Sequence, residues 1–302
     1  MRPPKGVRPY AGPMIRSLIA VWGLALCAVL ASYGAAVHPI GDSIAAFRLP
    51  LLGLLWALSS ALGTARHWRL FAIGAVIGCA ASLPLALAYL ADGAPGTIRI
   101  YQKNLLMTNP DLTKVEADMR AAQPDIVTLQ EVSPANLALL AALSDILPQQ
   151  KYCRFGKSGG VAIATRYGLG GPGFCAKGMV ALPVVGPYGT FWVISVHLTW
   201  PWPYGQADHL RQILPQMAGL DGPLVVAGDF NAVTWSRATE QVRQAAHGLS
   251  ARPLTGTYQI LPWVSLPIDQ IIVPGGGTVE KRPLLGSDHL GLLATISLIP
   301  PP

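Results

Sequence analysis

Residues 225–236 read VVAGDFNAVTWS. A short apolar run reaches Gly228, and Asp229 and Asn231 follow it one residue apart. The run is typical of a buried strand that ends in a turn, and aspartate and asparagine are both common turn residues. The pair becomes informative only if side chains of the same chemistry stand at the ends of other strands, because neighbouring strands end at a common edge of a sheet.

Other apolar runs in the chain also end or begin with side chains that bind metals or transfer protons. IYQKN, LQEV and SVHL end such runs, and PIDQIIV and SDHLGLLATI begin them. The polar residues concerned are Asn104, Glu131, His197, Asp269, Asp288 and His289. Each one alone is explained equally well as a turn residue, a solvated strand end or a hydrogen-bonded core histidine. Their recurrence at strand termini predicts a common site, since strands hold such groups rigidly at the edge of a sheet.

The polar two thirds of the chain, residues 93–302, alternate strand patterns with helical ones. Strand patterns outnumber helical ones, and several follow one another between residues 150 and 197. A helix is predicted over 133–147, with Ser133 as its N-cap. This order predicts one α/β domain with α+β character, a four-layer sandwich in which two packed mixed β-sheets are flanked by helices.

Residues 1–92 form a separate apolar region, with predicted transmembrane helices at 17–37, 47–64 and 70–91. The first and third stretches are uncharged and long enough to cross a hydrocarbon layer of ~30 Å, and Pro84 is tolerated there as a kink. The second stretch is shorter, and Arg48 at its edge can extend to the interface. A cleaved signal peptide is the alternative for the first stretch, although two further apolar stretches behind it disfavour that interpretation.

The net charge of +7 belongs mostly to the apolar region, which holds seven basic and two acidic residues, whereas the rest of the chain is nearly neutral. A basic protein ordinarily suggests a nucleic-acid partner, but here the excess flanks apolar stretches. With three spans, the basic residues before the first span and Arg66 and Arg69 between the second and third spans lie in the cytoplasm, and residues 93–302 emerge outside. With two spans, residues 93–302 stay inside. We therefore predict a multi-pass protein of the inner (cytoplasmic) membrane, with its polar domain on the periplasmic or extracellular side.

The four cysteines give a further, weaker indication of compartment. Cys27 and Cys79 lie within the apolar stretches and are interpreted as small apolar residues. Cys153 and Cys175 flank a predicted strand pair, and the sequence is compatible both with an external disulfide and with two free thiols.

The strand-end motifs resemble those of the endonuclease/exonuclease/phosphatase superfamily, the fold shared by deoxyribonuclease I, abasic-site endonucleases, sphingomyelinases and inositol polyphosphate phosphatases. The matching stretches are IYQKN, LQEV, SVHL, GDFN, PIDQIIV and SDHL, and their order and spacing fit over residues 97–298. The apolar region ahead of them is similar to that of a membrane-anchored bacterial branch. The resemblance implies hydrolysis of phosphodiester or phosphomonoester bonds, with Mg²⁺ or Mn²⁺ as the cofactor.

The resemblance also implies roles for individual residues. Glu131 would bind the metal, with Asn104 and Asp288 beside it, because a hard cation prefers oxygen ligands. His289 would be the base that activates water, and Asp269 would hold its imidazole in the required tautomer.

The remaining predicted residues would handle water and substrate. Asp229 would orient or deprotonate the attacking water, and Asn231 would bind the phosphate through its amide hydrogens. His197 would hydrogen-bond the phosphoryl oxygens or protonate the leaving oxygen. Trp200 and Trp202 follow SVHL directly and are predicted to contact the substrate by stacking on bases or by entering a lipid interface, with packing at the rim of the site as the alternative.

Two substrate classes remain open for such an enzyme, with the membrane as the other expected partner. A nuclease needs a groove of lysine and arginine, and its binding weakens steeply with salt. A phospholipid- or sphingomyelin-type phosphodiesterase would explain the apolar region and the tryptophans, and the nearly neutral domain favours it slightly. A non-catalytic membrane scaffold is a third, less favoured interpretation, because every position of the motifs carries the expected residue type.

Overall fold

The computed structural model describes residues 12–156, 159–261 and 264–299. An N-terminal helical segment precedes a β-rich domain. The helices of this segment are α1 (Pro13–Ala31), α2 (Ile40–Ala45), α3 (Arg48–Thr64) and α4 (Trp68–Leu90). A short 3-10 turn at Gly34–Ala36 connects α1 to α2.

Two mixed β-sheets form the centre of the domain. The strand order of the first sheet is β14 (Gly277–Arg282), β15 (Gly291–Ile296), β1 (Ile98–Asn104), β2 (Ile126–Val132), β4 (Gly160–Thr165) and β3 (Gln149–Arg154). The order of the second is β10 (Leu249–Ser250), β13 (Asp269–Val273), β9 (Leu224–Asp229), β8 (Gly189–His197), β7 (Met179–Gly186) and β5 (Gly168–Leu169), with β6 (Phe174–Ala176) paired to β7. A separate hairpin consists of β11 (Tyr258–Leu261) and β12 (Val264–Leu266).

The sheets pack face to face, and helices cover their outer faces. Ile100 and Ile163 of the first sheet and Val193 and Val225 of the second are fully buried in one shared core. Burying a side chain of this size contributes about 1.5–3 kcal/mol each. Helices α5 (Leu112–Ala122) and α6 (Leu137–Ala142) cover the first sheet, and α7 (Gln206–Ala218) and α8 (Arg237–Ala245) cover the second. The predicted sandwich of two mixed sheets flanked by helices is confirmed.

The helix predicted over 133–147 is shorter than expected, because α6 covers only 137–142. The Ser133 hydroxyl accepts a hydrogen bond from the Asn136 backbone N–H at 3.3 Å, so Ser133 closes the turn before the helix instead of capping the helix itself. After α6 the chain continues in turns. Pro148 follows these turns, and a proline disfavours helical geometry in the residue before it, here Leu147.

The three long N-terminal helices pack side by side in alternating directions. Trp22 of α1 donates to the Ser59 hydroxyl of α3 at 2.9 Å, while Arg48 at the start of α3 hydrogen-bonds to Ser32 after the end of α1. Trp56 of α3 likewise reaches Ser82 of α4 at 3.3 Å. The end of α1, the start of α3 and the end of α4 therefore lie on the side that faces the β-rich domain.

Helices α1 and α4, with 19 and 23 residues, are long and apolar enough to cross a membrane by length and composition. Most of their apolar residues are exposed: 17% of the apolar window of α1 and 22% of that of α4 are buried. Helix α3 has 17 residues and begins at the buried Arg48. Helix α1 ends at Ala31, earlier than the predicted 17–37 stretch, because the Ser32 hydroxyl bonds to the Val29 carbonyl and the chain turns.

The structure decides between the two alternatives left open for the cysteines. Cys153 of β3 and Cys175 of β6 form a disulfide, with their Cα atoms 5.7 Å apart. The bond links an edge strand of the first sheet to an edge strand of the second and so closes one side of the sandwich. Cys27 and Cys79 are free.

Candidate active site

The strands of both sheets bring their polar residues to one edge of the sandwich. Asn104 is the last residue of β1, and Glu131 follows in the parallel neighbour β2. His197 and Asp229 end the parallel strands β8 and β9 directly opposite each other. Asp269 begins the antiparallel strand β13 opposite Asp229. Parallel strands end at the same edge, so these residues from five strands converge.

Gly228 explains why the run VVAGDFN can align with its neighbour. A Cβ atom at this position would lie 1.9 Å from the Val196 carbonyl oxygen of β8. Only glycine permits this close approach of the two backbones. The approach brings His197 and Asp229 into register at the strand ends.

A buried histidine lies between two carboxylates at this edge. The Nδ1–H of His289 donates to the Asp269 carboxylate at 2.8 Å, and its Nε2 is 3.8 Å from an oxygen of Asp229. The Nε2 atom of His197 lies 3.6 Å from the same Asp229 oxygen. All four side chains are buried. Because Nδ1 is held by Asp269, the Nε2 atom of His289 is the one directed towards Asp229 and free to exchange a proton.

The electrostatics of this group follow from burial and from the close opposite charges. Burial opposes the charged form of His289, but the carboxylates of Asp269 and Asp229 outweigh it and raise its pKa to about 10. Burial also works to raise the pKa of Asp269, but the positive charge of His289 and hydrogen bonds from Thr257 and Gln102 lower it overall. The pKa of Asp229 is raised, mainly by burial. The Asp269–His289 pair is therefore an ion pair at neutral pH, and Asp229 is the carboxylate that is easier to protonate.

Asn104 connects the carboxylates of Asp229 and Glu131. Its amide nitrogen lies 3.1 Å from an Asp229 oxygen and 3.2 Å from a Glu131 oxygen. Its own oxygen accepts the Leu106 backbone N–H at 2.9 Å, and the second Glu131 oxygen accepts that of Met107 at 3.0 Å. In this arrangement the Asn104 amide group faces the site as a donor, which differs from the ligand role predicted for it.

Glu131 and Asn231 both have backbone conformations that side-chain-bearing residues rarely adopt, with φ of 55° and 48°. Such strain costs about 1–3 kcal/mol and tends to occur at functional sites. The Asn231 amide donates to the Leu198 carbonyl at 2.8 Å, which occupies one of the hydrogens predicted to bind phosphate. Its buried side-chain oxygen has no hydrogen-bond partner among the described residues. Asn231 thus presents an unpartnered polar atom next to Asp229, whose carboxylate accepts the Asn231 backbone N–H.

The other predicted residues lie at the rim. Asp288 is exposed and its negative charge helps to raise the pKa of His289, but within the described ranges it forms no hydrogen bond to Asn104 or Glu131. The exposed fractions of Trp200 and Trp202 are 42% and 45%.

Sequence comparison identifies the family. Residues 102–289 match the model of the Endonuclease/Exonuclease/phosphatase family, which is more than half of the chain. The chain belongs to this family. The match starts at Gln102 and ends at His289, so it includes every predicted strand-end residue. Members of the family are generally phosphoester hydrolases. No curated protein sequence matches the chain.

Solved structures share the fold at low sequence identity. A humanized TDP2 from D. rerio has a TM-score of 0.53 at 16% identity, over 66% of this chain and 98% of that one. D. rerio TDP2 in complex with a single-stranded DNA product has a TM-score of 0.51 at 15% identity, over 65% and 97%. An endonuclease/exonuclease/phosphatase family protein from Leptotrichia buccalis has a TM-score of 0.51 at 14% identity, over 67% and 100%. The part of the chain that they cover corresponds in extent to the β-rich domain.

The donor atoms at the site fit the divalent cation expected for this family. Ligand atoms of Asp229, Asp269 and His289 lie within 4.8 Å of one another. Asp269 and His289 are already hydrogen-bonded to each other, however, so these three serve better for proton transfer than for metal binding. The half-exposed Glu131 carboxylate offers a hard oxygen donor on the open side, and the buried Asn231 oxygen is a second oxygen without a hydrogen-bond partner among the described residues. Such donors suit Mg²⁺ or Mn²⁺.

Lys103, which was not predicted, holds the loop that carries Asp288 and His289. Its side chain is buried, and its ammonium group donates to the backbone carbonyls of Pro283, Leu284 and His289 at 3.1, 2.8 and 2.6 Å. The signal in the sequence is a charged residue inside the apolar strand IYQKN. The carbonyl groups that it contacts lie about 180 residues away in the sequence. The sequence therefore shows that this lysine is unusual but does not show which groups it binds.

Replacing this lysine is expected to reduce activity without removing any group that reacts. In Lys103→Met the apolar stem remains, but the three carbonyls lose their donor and the loop loosens around His289. Loss of a supporting contact of this kind typically reduces activity by about 10- to 100-fold. Steady-state hydrolysis rates would measure the effect. Lys114→Met, at an exposed lysine paired with Asp111, is the matched control and should retain full activity.

The same residue predicts a pH dependence of stability. Burial lowers the pKa of Lys103 from 10.5 to about 8, although nearby carboxylates oppose the shift. Between those two values the unfolded chain binds a proton that the folded chain does not, so this group favours folding increasingly as pH rises. The free energy of unfolding of the wild type minus that of Lys103→Met should therefore increase from pH 8 to pH 10. A difference that stays constant or decreases in chemical denaturation of the metal-free protein would contradict the shift.

A buried chain of polar side chains supports Asp269 from inside the sandwich. Gln102 donates to Asp269 and to Gln130, both at 2.8 Å, and Gln130 donates to Ser195 at 3.0 Å. This series of hydrogen bonds crosses from the first sheet to the second and fixes the Asp269 carboxylate opposite His289. Polar residues in otherwise apolar strands are the sequence signal, and Gln130 lies in the LQE motif already noted.

Proposed function

We propose that this protein is a divalent-metal-dependent phosphodiesterase, with Mg²⁺ or Mn²⁺ as cofactor. The observation that supports the proposal best is the placement of His289 between Asp269 and Asp229, beside the Asn104–Glu131 pair. A hydrolase needs a group to take a proton from water and a negatively charged pocket for a cation, and these five residues offer both.

In the proposed reaction each residue has a defined task. Asp269 holds the Nδ1–H of His289, so the Nε2 atom of His289 exchanges a proton with the attacking water, together with Asp229. His197, on the other side of Asp229, donates a hydrogen bond to a phosphoryl oxygen or a proton to the leaving oxygen. Glu131 would hold the cation, with Asp288 as a further predicted ligand, while the Asn104 amide would orient the carboxylates of Glu131 and Asp229. A cation held there would supply positive charge to neutralise the phosphate and the oxygen of the breaking P–O bond.

The purified full chain tests this function directly. Mg²⁺-dependent hydrolysis would be measured side by side on DNA, RNA, phospholipid vesicles and small phosphomonoesters, with and without EDTA. The proposal expects cleavage of a phosphodiester that EDTA abolishes and Mg²⁺ or Mn²⁺ restores. Cleavage unaffected by EDTA, or absent on every diester, would contradict it.

An apolar pocket beside the site favours an amphiphilic phosphodiester, such as a phospholipid, over nucleic acid. The pocket has a volume of about 240 Å³, and Asn231 is the one residue lining it that also belongs to the candidate active site. The rest of its wall is largely aromatic and aliphatic, with Phe47 contributed by the N-terminal segment and Trp200, Trp202 and Tyr204 by the loop after β8. Such a wall suits a hydrocarbon chain and offers no guanidinium or ammonium group to a nucleic-acid backbone.

The nuclease alternative is supported by the single-stranded DNA product bound to the D. rerio protein, which shares only the fold. The two substrates respond differently to salt. Turnover of nucleic acid should decrease steeply as salt increases, whereas turnover of vesicles should follow lipid surface and change less. The substrate panel at 50 and 200 mM salt distinguishes them.

We further propose that residues 1–92 anchor the protein in the inner membrane by three passes, with residues 93–302 outside as a catalytic domain. The alternating directions of α1, α3 and α4, the basic residues Arg66 and Arg69 at the turn between α3 and α4, and the Cys153–Cys175 disulfide support this topology. Fusions of a reporter active only outside the cytoplasm, placed after residue 66 and after residue 299, test it. Only the second fusion should be active.

A further inference from the structure

A second cavity, separate from the candidate site, lies where the N-terminal segment meets the β-rich domain. Its volume is about 360 Å³. Ser32 after α1, Arg48 at the start of α3 and Ala88 near the end of α4 border it on one side, and α8 borders it on the other. None of the residues that line it belongs to the candidate active site.

The cavity has an excess of positive charge, because four guanidinium groups and two carboxylates line it. The guanidinium groups belong to Arg48, Arg237, Arg243 and Arg252, and the carboxylates to Asp42 and Glu240. The Asp42 carboxylate accepts the Arg237 backbone N–H at 2.8 Å and thereby caps the start of α8. The Glu240 carboxylate is engaged by the side chains of Arg243 and Gln244. The Asp42 charge also acts on Arg48 and Arg237, so the four guanidinium groups and two carboxylates together leave an excess of positive charge.

Three of the arginines have no direct carboxylate partner among the described residues. Within the described ranges, Arg48, Arg237 and Arg252 form no salt bridge with a carboxylate. Arg48 donates to the hydroxyl and carbonyl of Ser32 and lies 3.8 Å from the Tyr33 ring. Arg252 donates to the Ala88 carbonyl, and burial together with the positive charge of Arg243 lowers its pKa.

A donor in the cavity also lacks a partner. The Nε–H of Arg243 is buried and makes no hydrogen bond to any described residue. Guanidinium groups that outnumber the carboxylates around a cavity are stabilised by a multivalent anion, and guanidinium geometry matches phosphate oxygens.

We propose that this cavity is a binding site for a phosphate-bearing anion, either the headgroup of an anionic lipid or a soluble phosphate. Its position fits the first source in particular. The ends of the three long helices surround it, so a phosphate here would lie at the level where the apolar helices meet the polar domain, with room for hydrocarbon along α1 and α4. Bound there, the anion bridges the N-terminal segment, through Arg48, and the domain, through Arg237 and Arg252.

The test uses the full chain purified in a neutral detergent. Its thermal unfolding midpoint would be titrated with inorganic phosphate in one series and with phosphatidylglycerol or phosphatidylcholine in mixed micelles in another. The proposal expects inorganic phosphate, phosphatidylglycerol or both to raise the midpoint well above the effect of phosphatidylcholine, and salt to weaken the response. A response to phosphatidylglycerol alone names the lipid as the source, and a response to both means that phosphate suffices.

Variants locate the site. Arg237→Gln alters an exposed side chain, and the double variant Arg237→Gln/Arg252→Gln removes two of the four guanidinium charges that line the cavity. Each should weaken the apparent affinity, the double variant by roughly tenfold or more, since a lost charge-assisted contact is worth about 1.4 kcal/mol or more. Arg211→Gln, at an exposed arginine of α7 paired with Asp208, is the matched control and should respond as the wild type does. Absence of any response to both anions, or equal responses of Arg237→Gln, the double variant and the wild type, would overturn the proposal.

Discussion

His289→Ala is expected to lower the rate of hydrolysis by about 10²- to 10⁴-fold, which is the usual contribution of a positioned acid or base. The Nε2 atom of His289 is the one imidazole nitrogen of the Asp269–His289 pair that is free to exchange a proton, and the alanine variant removes it. Asp269 keeps its hydrogen bonds from Gln102 and Thr257, so the fold should persist in the variant. Rates at saturating Mg²⁺ and substrate, together with a circular dichroism spectrum, measure both expectations.

A second substitution separates the chemical role of His289 from its structural one. In His289→Asn the side-chain amide can still donate to Asp269, but it cannot exchange a proton with water or with Asp229. We expect this variant to be as inactive as His289→Ala and more stable, because the buried Asp269 carboxylate keeps a third donor. His247→Ala, at an exposed histidine after α8, is the matched control. If either folded variant of His289 kept nearly full turnover, His289 would not take part in the proton transfer.

The location of the candidate site could be predicted because its evidence is local. Each of Asn104, Glu131, His197 and Asp229 terminates an apolar run, and a strand end is readable from the few residues around it. The parallel pairing of β1 with β2 and of β8 with β9 then brings these ends together. Local patterns also sufficed for most strands, whereas α6 ends at Ala142, earlier than the apolar pattern over 133–147 predicts.

The supporting contacts could not be predicted, because they join residues far apart in the sequence. Lys103 reaches the carbonyl of His289, and Gln102 reaches Asp269. The contact between the N-terminal segment and the domain is of the same kind: Trp235 donates to the Ala45 carbonyl at 2.9 Å across 190 positions. Such pairs depend on the completed topology, and a single sequence reveals only that a polar residue stands in an apolar run.

The orientation of Asn104 shows a further limit. The family resemblance implied that Asn104 is an oxygen ligand, but an amide offers two hydrogens as well as one acceptor. Its oxygen is occupied by the Leu106 backbone N–H, and its amide nitrogen bridges Asp229 and Glu131. Which end of an amide faces a site depends on the backbone groups around it, so this detail requires the fold.

Glu131→Ala is expected to be the second strongly impaired variant. If Glu131 is the principal ligand of the cation, its loss should reduce activity or apparent Mg²⁺ affinity by about 100-fold or more. This is at least as much as the loss of a group that only supports a ligand. Titration of Mn²⁺ binding by calorimetry and the Mg²⁺ dependence of the rate measure this loss. Glu280→Ala, at an exposed glutamate of β14, is the matched control. Unchanged cation binding in Glu131→Ala would contradict the ligand role.

The backbone of Glu131 allows a sharper form of the same experiment. With φ of 55°, this position favours glycine, and a residue with a side chain is retained there at a cost of about 1 kcal/mol or more. Glu131→Gly removes the carboxylate and relieves the strain, so it should unfold at a higher temperature than Glu131→Ala while being equally inactive. Such a result would mean that the strain is kept for the sake of the carboxylate. If Glu131→Gly were instead less stable than Glu131→Ala, the unusual backbone would have to be stabilised by its surroundings, and its link to metal binding would be lost.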